Sequence, residues 1–278
     1  MKKSNILIML MISLALPAIA SAQGVSVNYA DGATKLTGYY VKSKSKGTAK
    51  APGVVVIHQW MGLTGHEKQS AEKLAALGYN ALAADIYGTG MTPKDIKEAG
   101  EKAGYYKTNY QVYQSRIKAA INQLVKQGAD PARIAVIGYC FGGTGAIEAA
   151  RAGMPVKGVV SFHGGLGKAE TRANGHINTK VLVLHGADDP YESEAEIKKF
   201  QQEMREAKAD WQMVYFANAV HAFTQKEAGN DNSKGAAYNA IADRRSWVDM
   251  KLFLAEIFAN RSTRLQQLWL TVFLKTLC

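Results

Sequence analysis

Residues 133–152 read RIAVIGYCFGGTGAIEAARA, and this stretch decides the fold. Its apolar first part predicts a buried strand, and its last nine residues predict a helix. Gly138 and Gly142 lie two residues before and two residues after Cys140, and small residues at that spacing permit the sharp strand-to-helix turn of a nucleophile elbow. The pattern therefore predicts that Cys140 is a nucleophile; a buried structural cysteine beside a glycine-rich turn is the alternative.

A cysteine stands where such an elbow usually carries a serine. Cys140 precedes the predicted helix, and the helix N-terminus favours thiolate over thiol. The other cysteine, Cys278, is the last residue of the chain. We expect no disulfide between the two, so Cys140 requires a chemical reason to be present.

Strand and helix patterns alternate over the rest of the chain, which is typical of an α/β fold with a mostly parallel sheet and helices on both faces. We predict strands at residues 25–29, 35–41, 54–57, 81–86, 133–137, 156–162, 181–184 and 212–216. We predict helices at residues 67–77, 106–127, 144–152, 193–207 and 237–259. No internal repeat or linker is visible, so residues 23–260 form one predicted domain.

The composition excludes several classes of protein. The chain of 278 residues is 47% hydrophobic and 21% charged, which is typical of globular proteins rather than of disordered or coiled-coil chains. It carries 34 Lys and Arg against 23 Asp and Glu, a net charge of +11, but no run of basic residues marks a nucleic-acid surface. We therefore expect no nucleic-acid partner.

Residues 1–22 are predicted to be a secretory signal peptide. Lys2-Lys3 forms a positive start, residues 6–19 form an apolar run, and Ala20-Ser21-Ala22 is a small-residue cleavage site. The apolar run is shorter than the ~20 residues that a membrane-spanning helix needs, so cleavage after Ala22 is favoured over a membrane anchor. We expect a periplasmic or secreted protein with no stable membrane anchor after cleavage.

Residues 261–278 form a C-terminal extension behind the last predicted helix. The segment is rich in leucine and contains Trp269 and Phe273. It is too short to span a bilayer, and we assign it no role.

Three residues in chain order match a nucleophile–acid–base series. Asp189 lies in the segment HGADDP after the seventh predicted strand, and His221 follows the eighth. Because ligands bind at the carboxyl ends of strands in an open parallel sheet, we expect both residues to meet Cys140 there. His221 would take the thiol proton and later activate water, while a carboxylate would stabilise its cation. Asp188 is the other candidate acid, and we favour Asp189.

Backbone amides complete the predicted site. An elbow of this kind binds an oxyanion with the amide that follows the nucleophile and with one from a loop behind another strand. These are the amides of Phe141 and Trp60. His58 and His163 also end strands, and we expect hydrogen-bonded packing roles for both.

We expect no metal site. His66-Glu67 lacks the second His of a metalloprotease helix. Residues 164–168 also lack the spacing of a phosphate-binding loop.

The chain resembles the dienelactone hydrolase family of α/β-hydrolases. The resemblance spans residues 24–259 and is carried by GYCFGG at residues 138–143, GADDP at 186–190, HAF at 221–223, HQWMG at 58–62 and ADIYG at 84–88. It implies an α/β-hydrolase fold, a small-molecule ester or lactone as substrate, and neither a metal nor an organic cofactor. It also implies Cys140 as nucleophile, Asp189 as acid, His221 as base, and oxyanion amides at Trp60 and Phe141.

Three positions depart from the founding members of that family. Gln59 stands where they have a Glu that engages the resting thiol, and a Gln side chain cannot take up its proton. Thr89 and Gln225 stand where they hold a substrate carboxylate with two arginines, and neither is cationic. We expect these three side chains to contact the substrate. We also expect neutral esters or lactones to be cleaved at least as well as carboxylate-bearing ones, so the substrate is not expected to be dienelactone itself.

Two functions are compatible with these residues. The first is cofactor-independent hydrolysis of small esters or lactones through a thioester acyl-enzyme. The second is a non-catalytic protein of the same fold that binds a ligand or senses redox state through Cys140. The intact nucleophile–acid–base series favours the hydrolase, whereas Gln59 lends weight to the binding protein. The sequence does not predict the oligomeric state.

Overall fold

An eight-stranded sheet runs through the centre of the protein. The structure, a computed structural model, describes residues 23–45 and 49–259. The predicted signal peptide at residues 1–22 and the predicted extension at residues 261–278 lie outside the described residues, so both stay predictions. No helix in the described part of the chain is both long and apolar enough to cross a membrane.

Strands and helices alternate along the chain. The strands are β1 (Val25–Asp31), β2 (Thr34–Val41), β3 (Gly53–Ile57), β4 (Asn80–Ala84), β5 (Ile134–Tyr139), β6 (Gly158–Phe162), β7 (Lys180–Gly186) and β8 (Trp211–Phe216). The helices are α1 (Gly65–Ala76), α2 (Ile96–Thr108), α3 (Tyr110–Lys126), α4 (Phe141–Arg151), α5 (Glu194–Glu206) and α6 (Ala240–Phe258). Two 3-10 turns, Lys226–Ala228 and Asn232–Lys234, lie between β8 and α6.

The strand order is β1-β2-β4-β3-β5-β6-β7-β8. β2 pairs antiparallel with β1 and with β4, and every other neighbouring pair is parallel. β3, β4, β5 and β6 are buried at every residue, as is typical of parallel strands covered by helices on both faces. This topology confirms the predicted α/β-hydrolase fold with a mostly parallel sheet.

Alternate side chains of the central strands enter two separate cores, because successive residues of a strand point to opposite faces. Val55 and Ile57 of β3 face the core that contains α2, α3, α4 and α5. Val54 and Val56 face the core that contains α1 and α6. Both faces are thus covered by helices, which leaves the carboxyl edge of the sheet as the place for a site.

One predicted helix is wrong in its extent. We predicted a single helix over residues 106–127, but α2 ends at Thr108 and α3 begins at Tyr110. Asn109 lies between them with φ −97° and ψ 59°, which is not helical. Its side-chain amide donates to the Tyr105 carbonyl oxygen at 2.9 Å, so the asparagine completes the end of α2 and turns the chain.

The part of α2 that precedes residue 106 was not predicted as a helix. Gly100 and Gly104 interrupt its apolar pattern, and glycine is a poor helix former. The signal that could have revealed it is its N-cap, because Asp95 Oδ1 accepts a hydrogen bond from the Glu98 backbone N–H at 2.8 Å.

Substitution by alanine should change the free energy of unfolding in opposite directions at two helical glycines, Gly145 and Gly104. Gly145 in α4 faces Tyr113, and an added Cβ would lie 2.6 Å from the Tyr113 Cζ atom. We expect Gly145→Ala to lower the free energy of unfolding by about 1–3 kcal/mol, because the buried ring has no room to move. Gly104 in α2 faces open space, and Gly104→Ala is the matched control, expected to raise that free energy by about 0.5–1 kcal/mol.

Denaturant unfolding of both variants measures the difference. Equal stabilities for Gly145→Ala and Gly104→Ala would contradict the close packing of α4 on Tyr113.

Candidate active site

Cys140 lies between β5 and α4 in a strained backbone conformation. Its φ of 54° and ψ of −115° fall in a region that residues with side chains rarely adopt. A Cβ at Gly138 would collide with the Gly142 carbonyl oxygen, and a Cβ at Gly142 would collide with the Ile57 carbonyl oxygen. The Cys140 amide donates to the Phe162 carbonyl oxygen at 3.0 Å. The turn therefore needs both glycines and is tied to β6.

The structure brings His221 and Asp189 together at the carboxyl edge of the sheet. His221 Nδ1 donates to Asp189 Oδ2 at 2.9 Å, and the Tyr191 backbone N–H donates to Asp189 Oδ1 at 3.0 Å. The Asp189 side chain is completely buried. Asp188, the other candidate acid, is exposed, so the geometry favours Asp189.

The Cys140 thiol and the His221 ring act on each other's pKa, so the two groups are neighbours in the site. Burial raises the pKa of the thiol, whereas the charge and the hydrogen bond of His221 lower it. The charge of Lys107 and the backbone N–H of Phe141 lower it further, so the net pKa lies below the ordinary thiol value. Burial lowers the pKa of His221, but Cys140 and Asp189 raise it above its ordinary value. These opposite shifts favour a thiolate–imidazolium pair.

The loop between β3 and α1 is held around the buried carboxylate of Glu67. The Gln59 backbone N–H donates to Glu67 Oε1 at 3.3 Å, and the Thr64 backbone N–H donates to Oε2 at 2.9 Å. The Tyr87 hydroxyl donates to the Trp60 carbonyl oxygen at 2.9 Å. These bonds fix the loop from which the second oxyanion amide is predicted to come.

His58 and His163 have the packing roles predicted for them. His58 Nδ1 donates to the Gln59 carbonyl oxygen at 2.6 Å, and its Nε2 accepts from the Ile86 backbone N–H at 3.2 Å. His163 Nε2 lies 2.9 Å from Thr224 Oγ1. Both rings are fully buried, and burial lowers the pKa of each. Both are therefore neutral hydrogen-bonded rings near neutral pH.

His66, the first residue of the His-Glu pair in the sequence, packs edge-on against Tyr139 with ring centroids 4.5 Å apart. Across residues 23–45 and 49–259, no group of three or more His, Cys, Asp or Glu side chains is arranged to hold a metal ion.

The family model of the dienelactone hydrolases matches residues 36–258. The chain belongs to this family. Membership makes it a hydrolase of the ester and lactone class and confirms the resemblance carried by the motifs.

Curated relatives match over most of their own length. An uncharacterized protein of Caenorhabditis elegans is 31% identical over 147 residues, which cover 52% of this chain and 93% of the relative. A candidate carboxymethylenebutenolidase of Synechocystis sp. is 25% identical over 240 residues, which cover 80% of this chain and 93% of the relative.

Solved structures share the architecture. One, titled a dienelactone hydrolase-like promiscuous phosphotriesterase from metagenomic libraries, is 39% identical with a TM-score of 0.80 and covers 85% of this chain and 99% of that chain. A candidate dienelactone hydrolase from Klebsiella pneumoniae is 22% identical with a TM-score of 0.69, covers 84% of this chain and 98% of that chain, and shares the fold alone.

The three positions that depart from the founding dienelactone hydrolases have different surroundings. Gln59 is buried, and its Oε1 accepts from the Met61 backbone N–H at 3.0 Å. Thr89 is exposed, its hydroxyl lies 2.8 Å from Thr37 Oγ1, and the cavity that it lines contains neither the thiol nor the imidazole of the site. Gln225 has a buried Nε2 with no hydrogen-bond partner among the residues that the structure describes. Their contacts with a substrate stay predictions.

Two residues of this dienelactone hydrolase site were missed in the sequence. The charge of Lys107 lowers the pKa of Cys140; this residue lies within the predicted helix at residues 106–127, but the pattern gave no sign that it belongs to α2 and lies near the thiol. Tyr191 packs edge-on against His221 with ring centroids 5.3 Å apart. It directly follows the GADDP motif, and that adjacency is the signal that could have found it.

The charge on Cys140 predicts the pH dependence of its alkylation. In a Cys278→Ser background, iodoacetamide should react with a midpoint below the ordinary thiol pKa, because the thiolate is the reactive form. His221→Gln removes the cation beside the sulfur, so the midpoint should move to higher pH. Mass spectrometry of the alkylated protein across pH measures it, with His176→Gln, an exposed histidine, as the matched control. A midpoint that His221→Gln leaves in place would contradict the charged pair.

Proposed function

We propose that this chain hydrolyses small esters or lactones through a thioester acyl-enzyme, with Cys140 as nucleophile, His221 as general base and Asp189 as its acid partner. The observation that carries the proposal is the hydrogen bond between Asp189 Oδ2 and His221 Nδ1, together with the electrostatic effect of the same His221 ring on the Cys140 thiol. A nucleophile bonded to a base that a third group orients is the arrangement that covalent catalysis requires.

In the acylation step, the Cys140 thiolate attacks the carbonyl carbon, a C–S bond forms, and negative charge moves to the carbonyl oxygen. The backbone N–H groups of Phe141 and Trp60 donate to that oxygen. Protonated His221 gives its proton to the leaving alkoxide as the C–O bond breaks. The product is a thioester plus an alcohol, which in a lactone stays attached as a hydroxyl group.

In the deacylation step, neutral His221 takes a proton from water, and the oxygen attacks the thioester carbonyl. The C–S bond breaks, Cys140 leaves as thiolate, and the carboxylic acid is released. Asp189 stabilises the imidazolium each time it forms. All proton transfers pass through His221, and the scheme uses no cofactor.

The substrates we propose first are neutral carboxylic esters and lactones, because neither Thr89 nor Gln225 can form a bidentate charged contact with a carboxylate. The relative from Synechocystis sp. is named for a lactone substrate, carboxymethylenebutenolide. Phosphotriesters are the second candidate class, since the structure 39% identical to this chain is titled a promiscuous phosphotriesterase. The same thiolate and amides would serve attack at phosphorus.

Turnover by Cys140→Ala tests the covalent mechanism. We expect kcat/KM for 4-nitrophenyl acetate to fall by about 10³-fold or more, because the nucleophile is removed. Circular dichroism checks that the variant is folded, and Cys278→Ser is the matched control that should keep turnover. Paraoxon, assayed in parallel, tests the phosphotriester class.

Two outcomes would reject the proposal. Wild-type-like turnover by folded Cys140→Ala would reject the covalent mechanism. Stoichiometric alkylation of Cys140 in a wild-type protein that turns over no ester would favour the ligand-binding or redox-sensing protein.

The two neighbouring aspartates predict unequal effects. Asp189→Asn should lower kcat by about 10²- to 10⁴-fold, because an amide holds the wrong His221 tautomer and no longer stabilises its cation. Asp188→Asn is the matched control and should change kcat by less than about threefold, since an exposed side chain contributes little. Steady-state kinetics of both variants decides it, and the reverse ranking would assign the acid role to Asp188.

A further inference from the structure

The hydrogen bond to Asp189 does not by itself fix the orientation of the His221 ring. The bond from Nδ1 to Asp189 Oδ2 holds one atom of the imidazole, and the ring keeps freedom to tilt around that bond. The His221 backbone is held separately, because its N–H donates to the Gly235 carbonyl oxygen at 3.2 Å and its carbonyl oxygen accepts from the Ala237 N–H at 3.0 Å. The tilt of the ring decides where Nε2 points, and further contacts are needed to set it.

Two other rings contact the imidazole. His163 directly follows β6, and its ring centroid lies 5.3 Å from that of His221, with the two planes at 67°. Tyr191 follows β7, and its ring lies at the same centroid distance, with the two planes at 88°. Both are edge-to-face pairs, a geometry in which aromatic rings attract one another. The His221 ring is thus restrained from β6 and from the segment behind β7.

Tyr191 belongs to the segment that supplies the acid. Its backbone N–H donates to Asp189 Oδ1 at 3.0 Å, so the carboxylate and the aromatic ring are held in one turn. The ring also lies against Gly235, where an added Cβ would be 3.3 Å from Tyr191 Cζ. Gly235 is the residue whose carbonyl oxygen accepts from the His221 N–H. Tyr191 therefore contacts the acid, the ring of the base and the backbone that holds the base.

We propose that Tyr191 is a positioning residue for the reaction: its ring restrains the tilt of the His221 imidazole, so that the nitrogen not bonded to Asp189 stays directed at the nucleophile. This proposal rests on the proposed function. The Tyr191 hydroxyl lies 3.5 Å from the Lys234 carbonyl oxygen, which is at the limit of a hydrogen bond. The role therefore belongs to the ring and not to the hydroxyl.

The other histidines beside His221 stay neutral. Burial lowers the pKa of His163 and of His185, and the charge of His221 lowers both further, although Asp189 partly offsets this for His185. Among the described residues, the titratable side chains that interact with His221 are Cys140, Asp189, His163 and His185. Because the two neighbouring histidines carry no proton to lose near neutral pH, the titration of the thiol reports on the His221 ring.

Alkylation of Cys140 and ester turnover together test this role. In a Cys278→Ser background, Tyr191→Ala should lower kcat/KM for 4-nitrophenyl acetate by about threefold to tenfold, because the edge-to-face contact is lost. The pH midpoint of iodoacetamide alkylation should move upwards, since an imidazolium that is held loosely stabilises the thiolate less. Tyr191→Phe keeps the ring, so its turnover should stay within about twofold of the wild type and its midpoint should not move.

Tyr215→Ala is the matched control. Tyr215 is 46% exposed and packs edge-on against His185, with ring centroids 5.5 Å apart and planes at 88°. The substitution removes the same kind of contact from a histidine to which the mechanism gives no role, so turnover and midpoint should both stay at the wild-type values. Tyr191 is itself 58% exposed, and circular dichroism checks that each variant is folded.

Three outcomes would overturn the proposal. The first is unchanged turnover and an unchanged midpoint in folded Tyr191→Ala. The second is lower turnover with an unchanged midpoint, which would assign Tyr191 to contact with the substrate. The third is an equal loss in Tyr191→Phe and Tyr191→Ala, which would assign the role to the hydroxyl.

Failure of the proposed function gives a different result from these three. The wild type would then turn over no 4-nitrophenyl ester, whereas the alkylation midpoints of the Tyr191 variants would still report how the His221 ring is held beside Cys140.

Discussion

The contact between the Gly142 backbone and the carbonyl oxygen of Ile57 is the constraint on which the rest of the site depends. The first turn of α4 lies so close to the end of β3 that no side chain fits between them. This approach turns the chain within one residue and holds Cys140 at a positive φ. It sets the thiol at the carboxyl edge of the sheet, and it brings the start of α4 against the backbone of Ile57 and His58. The other proposed catalytic side chains, those of Asp189 and His221, lie at the same edge of the sheet.

The sequence predicts the site residues that directly follow strands. It misses the site residue that lies on a helix and comes near the thiol through helix packing. Cys140, Asp189 and His221 each follow a strand, and parallel strands end at one edge, so periodicity and order were sufficient to associate them. The choice between Asp188 and Asp189 depends on burial, which a strand pattern does not encode. Lys107 lies in the last turn of α2, which ends at Thr108, and a helical pattern that continues into α3 conceals that end.

The structure also accounts for Gln59. Its side chain accepts a hydrogen bond from the Met61 backbone, so it serves the shape of the loop rather than the thiol. The lowered pKa of Cys140 and the raised pKa of His221 favour the imidazole as the group that holds the thiol proton. An acid at position 59 is then unnecessary for forming the thiolate. The departure that lent weight to a non-catalytic protein is therefore compatible with catalysis.

The proposed pairing of the Cys140 thiolate with the His221 imidazolium also restricts which leaving groups can be expelled. A thiolate with a lowered pKa departs readily, so the tetrahedral adduct can collapse back to substrate as easily as it collapses forward. Forward collapse requires the imidazolium to release its proton to the alkoxide, and a raised pKa makes that release harder. Acidic alcohols, enols and strained rings need the least help, whereas amide nitrogen needs the most. In the mechanism that we propose, the chemistry of this sulfur would thus direct the enzyme towards activated esters and lactones and away from peptide bonds.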